Sequence, residues 1–144
     1  AFRWPLPGAK GKPHRIALAN GAEPQMARLN HSLLPQDRHP SPFEQGRLTL
    51  APEQFEEDAM IFPTGAGNAL RYGPDQGPHL AFRFDNLPNL ALWTKPGAPF
   101  LCIEPWHGMA ASLGGSPQIA ERPFSLILPP DQGARFAYTV EWHP

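Results

Sequence analysis

The chain has 144 residues, the size of one ordinary domain with a respectable core. Only 17% of the residues are charged and the formal net charge is −1, which gives no electrostatic basis for binding nucleic acid or a membrane surface. No apolar run approaches the roughly 20 residues of a membrane helix, and the single cysteine, Cys102, cannot form an internal disulfide and fits a reducing cytoplasm.

Short apolar segments separated by proline-rich and glycine-rich turns predict an all-β protein. The predicted strands, in chain order, are Arg15–Ala19, Arg47–Leu50, Ala59–Phe62, Ala69–Tyr72, Leu80–Asp85, Leu90–Thr94, Phe100–Glu104, Ser125–Leu128 and Arg135–His143. One helical turn is predicted at Pro52–Phe55. Strands at roughly ten-residue spacing indicate an antiparallel β-sandwich, with residues 1–144 forming a single domain or the C-terminal part of a larger one.

The sequence predicts the environment of two further segments. Ala22–Gln45 has little pattern and several prolines, which predicts a long surface connection with Met26 and Leu29 packed against the sheet. In Arg135–His143, aromatic and aliphatic residues alternate with polar ones, which predicts a half-buried strand.

Glu104 is the first candidate for chemistry because it follows the apolar run Phe100-Leu101-Cys102-Ile103. Alternation along a strand puts Leu101 and Ile103 on one face, and Phe100, Cys102 and Glu104 on the other. The apolar setting suits a carboxylate to general-base work near neutral pH. The strand is expected to stop at Glu104, because Pro105 follows. The alternative interpretation is a solvated glutamate at a strand end.

Trp93 and Trp106 flank the Glu104 strand in the sequence, and aromatic rings beside a carboxylate commonly pack on the apolar faces of a sugar. Both could equally be core residues. His107 follows Glu104 by three residues and either lines the same site or packs in a loop. Asp58 precedes a predicted strand, where a solvated turn residue is the alternative.

No metal or cofactor site is predicted. His31 and His39 have a spacing that matches no common zinc signature, and no cysteine pair accompanies them. Gly65-Ala66-Gly67 and Gly114-Gly115 lack the residues and context of a phosphate-binding loop.

At several of these positions the chain resembles the aldose 1-epimerase, or galactose mutarotase-like, family. The fairly specific motif is Cys102-Ile103-Glu104-Pro105-Trp106-His107-Gly108. The supporting segments are Ala1-Phe2-Arg3-Trp4-Pro5-Leu6-Pro7-Gly8, Leu48-Thr49-Leu50, Phe55, Asp58-Ala59-Met60-Ile61-Phe62 and Leu92-Trp93-Thr94.

The resemblance implies a large β-sandwich, a supersandwich, that binds a hexose or hexose phosphate without cofactor or metal. It implies that Glu104 removes the proton of the anomeric hydroxyl while a histidine protonates the ring oxygen, so that the ring opens, the aldehyde rotates and the other anomer forms. It also implies that Asp58 binds a sugar hydroxyl. The remaining contacts expected at the sugar come from Trp93, Trp106 and His107.

One departure from the family pattern bears on activity. The histidine that acts as general acid in relatives directly precedes the segment that begins here at Ala1-Phe2, and none of the six histidines fits that role by motif. We therefore expect an incomplete half of the fold, inactive alone, whose partner is the N-terminal half or a second copy of the chain. The rival interpretations are a non-catalytic carbohydrate-binding module and a structural or interaction domain.

Overall fold

The computed structural model describes residues 2–144, and within them the regular structure is almost entirely β. The strands are β1 (Phe2–Arg3), β2 (Arg15–Leu18), β3 (Arg47–Thr49), β4 (Met60–Phe62), β5 (Ala69–Gly73), β6 (His79–Asp85), β7 (Asn89–Trp93), β8 (Phe100–Trp106) and β9 (Ala137–His143). Short 3₁₀ turns form at Pro52–Phe55 and Ile119–Glu121. No helix among the described residues is long and apolar enough to cross a membrane.

The strands form two antiparallel sheets. A four-stranded sheet has the order β1-β8-β7-β4, and a five-stranded sheet has the order β3-β2-β5-β6-β9. The antiparallel sandwich predicted from the sequence is therefore confirmed.

The main core lies between the two sheets and follows from the period-two alternation of each strand. In β6 the buried side chains are Leu80, Phe82 and Phe84, while Ala81 and Arg83 point to the other face. Facing them from the four-stranded sheet are members of the same cluster: Met60, Phe62, Leu90, Leu92, Leu101 and Ile103. These side chains are at most 9% exposed, so burial of this apolar surface is the dominant stabilising term.

A second, smaller cluster covers part of the outer face of the four-stranded sheet. Ala27 pairs with Ile61 through two backbone hydrogen bonds of 2.7 and 3.1 Å, and both are buried with Leu34 and Ala91. Leu29 packs on this cluster and Met26 on the main core, as predicted. The 22–45 segment is thus fastened to the edge of β4.

Most predicted strands are present within one residue of their expected ends, but two predictions were wrong. Ser125–Leu128 is not a strand, since no neighbouring strand pairs with it in the part of the chain described, and Leu126, Ile127 and Leu128 are exposed. β8 does not stop at Glu104 but continues to Trp106. Among residues 2–144 only β7 pairs with β8 at Pro105, which has no backbone N–H to donate to a second neighbour.

The strand at Arg135–His143 is confirmed as β9, but its burial was overestimated. Val140 packs on the main core, whereas Tyr138 is 61% and Trp142 48% exposed. β9 is the last strand of the five-stranded sheet, and only its central residue Val140 reaches the shared core.

Candidate functional site

Glu104 lies on the outer face of the four-stranded sheet, opposite the main core. The adjoining strand places Ala91 directly across from Glu104, Trp93 across from Cys102 and Asn89 across from Trp106. Leu101 and Ile103 are buried in the main core, while Cys102 and Glu104 are half-buried on the other side. The predicted division of faces is therefore correct.

The carboxylate has a small neighbour on the adjoining strand. Ala91 is fully buried and contributes only a methyl group beside Glu104. On the other side of β8, Phe2 and Arg3 of β1 pair with Leu101 and Phe100. The short cross-strand neighbour leaves space for a ligand above the carboxylate.

Cys102 shares the face of Glu104, two residues earlier on the same strand. Burial raises the pKa of the Cys102 thiol, and the negative charge of Glu104 acts in the same direction. The thiol therefore stays protonated near neutral pH and behaves as a small, weakly polar side chain, as its position in the strand indicated.

Two aromatic rings border the same face. Trp93 and Phe100 have ring centroids 5.8 Å apart and planes inclined at 51°. Trp93 is diagonal to Glu104 in the ladder, a spacing of about 7–8 Å in sheets generally. Trp93 and Trp106 are both half-buried, so each retains surface for contact with another molecule.

Asp58 does not join this group directly. It is exposed in the turn before β4, two strands from β8, and its backbone has a positive φ of 69°. An aspartate tolerates this left-handed conformation better than most residues. Neighbouring strands are about 4.8 Å apart, so the lateral separation from β8 alone is about 10 Å.

Arg28 is a residue that sequence inspection missed. Its guanidinium donates to the carbonyl oxygens of Gln54 at 2.6 Å, Glu57 at 3.3 Å and Asp58 at 2.5 Å. Burial lowers the pKa of Arg28, and the charges of Glu57 and Asp58 partly offset this effect. The arginine fixes the turn that presents Asp58.

His107 makes its contacts with the loop after β6 and with the segment before β9. Its Nδ1 lies 2.8 Å from the carbonyl oxygen of Asn86, and its ring packs edge-on against Phe136 with centroids 4.8 Å apart. A carbonyl oxygen only accepts, so Nδ1 is the donor in this contact. His107 lines a largely apolar groove of ≈ 950 Å³ with Trp106, Arg122 and Leu126, and Glu104 does not line it.

Asn89 is the second residue that sequence inspection missed, although an asparagine inside an apolar strand is a recognisable signal. It is 1% exposed. Its Nδ2 donates to the Pro63 carbonyl at 2.7 Å, and its Oδ1 accepts from the Gly108 amide at 3.1 Å. Asn89 therefore ties the end of β4 to the segment that follows β8.

The described residues contain no group of three or more His, Cys, Asp or Glu side chains placed to hold a metal ion. The Glu104 face presents one carboxylate among aromatic, thiol and methyl groups. Such a face can accept a proton from a bound hydroxyl and can stack on an apolar ring surface.

Comparison with known proteins agrees with this architecture. No protein-family model matches the chain. Over 99 residues it is 32% identical to the chromosomal and plasmid forms of Protein LacX from Lactococcus lactis subsp. lactis, a match that covers 67% of this chain and 33% of each relative. The chain thus spans about a third of the length of these curated relatives.

Two solved structures share the fold. A galactose mutarotase related enzyme from Lactobacillus acidophilus aligns with a TM-score of 0.78 over 99% of this chain and 49% of its own length, at 18% identity. A galactose mutarotase-like protein from Lactobacillus casei aligns with a TM-score of 0.76 over 92% of this chain and 47% of its own, also at 18% identity. The resemblance found in the sequence is thus matched by the structure: the chain is a β-sandwich of the galactose mutarotase-like fold, related in sequence to LacX and equivalent to about half of the solved structures that share its architecture.

Proposed function

We propose that this chain carries the general-base side of an aldose 1-epimerase-like site, at which Glu104 promotes interconversion of the α and β anomers of a hexose or hexose phosphate. The observation that supports this most directly is the position of Glu104 on a sheet face beside fully buried Ala91 and diagonal to Trp93. The names of the two structural relatives point in the same direction.

In the proposed reaction, Glu104 takes the proton of the anomeric hydroxyl as the bond between the anomeric carbon and the ring oxygen breaks. A general acid protonates the ring oxygen in the same step, giving the open-chain aldehyde. Rotation about the bond next to the aldehyde and reversal of both proton transfers yield the other anomer. No electrons leave the sugar, so the reaction needs no redox partner.

The other proposed site residues have different roles, according to where they lie relative to Glu104. Trp93 and Trp106 offer apolar surface to the sugar ring from either side of Glu104. Asp58 is proposed as a hydroxyl ligand at the periphery, and His107 as a residue that supports the end of β8. The general acid is expected from the part of the fold that this chain does not supply.

A second candidate is a non-catalytic carbohydrate-binding module. The Trp93–Phe100 pair supports it, because an aromatic patch binds sugars whether or not a base lies beside it. The two candidates differ in one observable: only an epimerase accelerates the exchange of anomers.

The test uses a polypeptide in which residues 1–144 are joined to the remaining half of the fold. Two-dimensional NMR exchange spectroscopy on glucose and galactose would measure the anomer exchange rate with the parental protein and with Glu104→Gln. We expect kcat to fall at least about 100-fold while the sugar still binds, because glutamine keeps the shape but cannot accept the proton.

Glu141→Gln is the matched control, since Glu141 is an exposed carboxylate on β9. Near-parental turnover by Glu104→Gln would contradict the proposal. Sugar binding without any acceleration by the parental protein would favour the binding module.

A further inference from the structure

Three arginine side chains project from the outer face of the five-stranded sheet, on the opposite side of the sandwich from the candidate sugar site. They are Arg15 on β2, Arg47 on β3 and Arg71 on β5. Each lies next to a buried core residue in its own strand and therefore points outwards. The register puts Arg47 and Arg71 on either side of Ala17, which pairs with both.

Asp75, in the turn between β5 and β6, is the only carboxylate that forms an ion pair with these arginines among residues 2–144. Arg15 pairs with Oδ2 of Asp75, and Nη1 of Arg47 lies 3.8 Å from its Oδ1. Arg71 donates to the backbone carbonyl of Asp75 at 3.3 Å and not to the carboxylate. The cluster therefore holds three positive charges against one negative charge.

Within the described part of the chain, Arg47 and Arg71 use little of their hydrogen-bonding capacity. A guanidinium carries five N–H donors. The separation of 3.8 Å between Arg47 and Asp75 is too long for a hydrogen bond, and Arg71 bonds to one carbonyl. Arg15 differs, because its Nε also donates to Oγ1 of Thr49 at 3.1 Å. Arg15 thus holds the cluster together, while the other two arginines keep donors for a ligand.

The guanidinium groups of Arg47 and Arg71 are close enough to affect one another. Burial lowers the pKa of the Arg71 guanidinium, and the positive charge of Arg47 acts in the same direction. Ala17 lies between them and contributes only a methyl group, so the space above it is open. An anion in this space would be attracted by both arginines and would offset their repulsion.

We propose that Arg47 and Arg71, supported by Arg15, bind a small oxyanion of the phosphate class above Ala17. Arginine suits this ligand because its planar fork of N–H donors matches a pair of phosphate oxygens. Asp75 keeps Arg15 in place and leaves the excess positive charge to the ligand. The three strands that carry the arginines pair with one another within the chain, so the site is built entirely from residues 2–144. It does not depend on the proposed epimerase activity.

The test is an NMR titration of the ¹⁵N-labelled 144-residue chain with inorganic phosphate, at an ionic strength held constant with sodium chloride. We expect saturable shifts of arginine Nε–Hε signals and of backbone amides in β2, β3 and β5. Arg47→Gln and Arg71→Gln should each raise the phosphate dissociation constant at least about tenfold. Arg71→Lys should give an intermediate value, because an ammonium keeps the charge but not the paired donors.

Arg135→Gln is the matched control, since it removes the same charge from an exposed arginine outside the cluster. Its phosphate dissociation constant should stay near the parental value. Circular dichroism would verify that all the variants fold, as expected for substitutions of side chains that point to solvent.

Glycerol 3-phosphate, titrated in the same way, distinguishes two sources of the ligand. Tighter binding than inorganic phosphate would identify a phosphate group carried on a larger molecule, and equal or weaker binding would identify free phosphate. The absence of saturable shifts with both compounds would overturn the proposal. Shifts that chloride alone reproduces, or equal losses of affinity in Arg71→Gln and Arg135→Gln, would overturn it as well.

Discussion

The Arg28 guanidinium donates to the Asp58 carbonyl oxygen at 2.5 Å and thereby connects the 22–45 segment to the turn that leads into β4. The bond joins parts of the chain that are 30 residues apart. It fixes the Asp58 backbone in its left-handed conformation and leaves the carboxylate free to face solvent.

The first prediction is that Arg28→Ala lowers the free energy of unfolding by about 2–3 kcal/mol, because three backbone carbonyls lose a charged donor. Arg28→Lys should recover part of the loss, since an ammonium cannot reach all three carbonyls in the same geometry. Urea denaturation measures both changes.

Arg38→Ala is the matched control for Arg28→Ala. Arg38 also donates to three carbonyl oxygens, but these belong to its immediate neighbours Pro35, Gln36 and Asp37, and the side chain is exposed. We expect a change within about 0.5 kcal/mol. Equal losses for the two arginines would show that the connection to the turn before β4 has no special role.

The second prediction concerns Asn89. Asn89→Ala should destabilise the chain by about 2–3 kcal/mol, because the Pro63 carbonyl and the Gly108 amide both lose their partner in a buried site. Asn68→Ala, at an exposed asparagine, should stay within about 0.5 kcal/mol. Thermal and urea unfolding check the difference, and a neutral Asn89→Ala would contradict it.

The third prediction is a loss of stability below neutral pH that depends on His14. This side chain is 3% exposed, and its Nε2 accepts a hydrogen bond of 3.3 Å from the Leu6 amide. Burial lowers the pKa of His14 from 6.5, against a smaller opposing effect from the Lys12 backbone. The folded protein therefore keeps the imidazole neutral where the unfolded chain binds a proton.

The stabilisation from neutral His14 is complete above the unfolded pKa and decreases as pH falls towards the lowered folded pKa. Urea unfolding at about pH 7.5 and about pH 5.5 should give a smaller stability at the lower pH. His14→Gln should reduce this difference, whereas His31→Gln, at an exposed histidine, should leave it unchanged. An identical pH response in His14→Gln would refute the assignment.

The fourth prediction is that residues 1–144 alone have negligible mutarotase activity. A base without its acid partner leaves the departing ring oxygen unprotonated, and general acid catalysis typically contributes about 10²–10⁴-fold. Exchange spectroscopy on purified chain would measure this directly. Robust anomer exchange would mean that a histidine within these residues supplies the acid.

Alternation of apolar and polar residues was sufficient to predict the sandwich and the two faces of β8. It failed at Ser125–Leu128, because an apolar run looks the same whether it pairs in a sheet or lines a groove. It also overestimated the burial of β9. Periodicity identifies the face that points inwards but not how much of that face other residues cover.

The sequence predicted only the part of the candidate site that local strand pattern determines. Glu104, Trp93 and Trp106 come together because two neighbouring strands place them in one ladder, and local pattern indicates such strands. Arg28 and Asn89 act through backbone groups distant in sequence, which no local spacing reveals. The orientation of His107 towards Asn86 likewise depends on the packing of the two sheets.

The pairing of β6 with β9 also has a kinetic consequence. Asp85 pairs with Ala137 although the entire 86–136 segment, including two strands of the other sheet, lies between them. Closing such a long loop costs entropy before any of the seven pairs can form. Topologies dominated by such distant contacts fold in about milliseconds to seconds. We therefore expect β9 to be among the last strands to dock. Until it docks, its aromatic side chains are exposed to association with other incompletely folded chains.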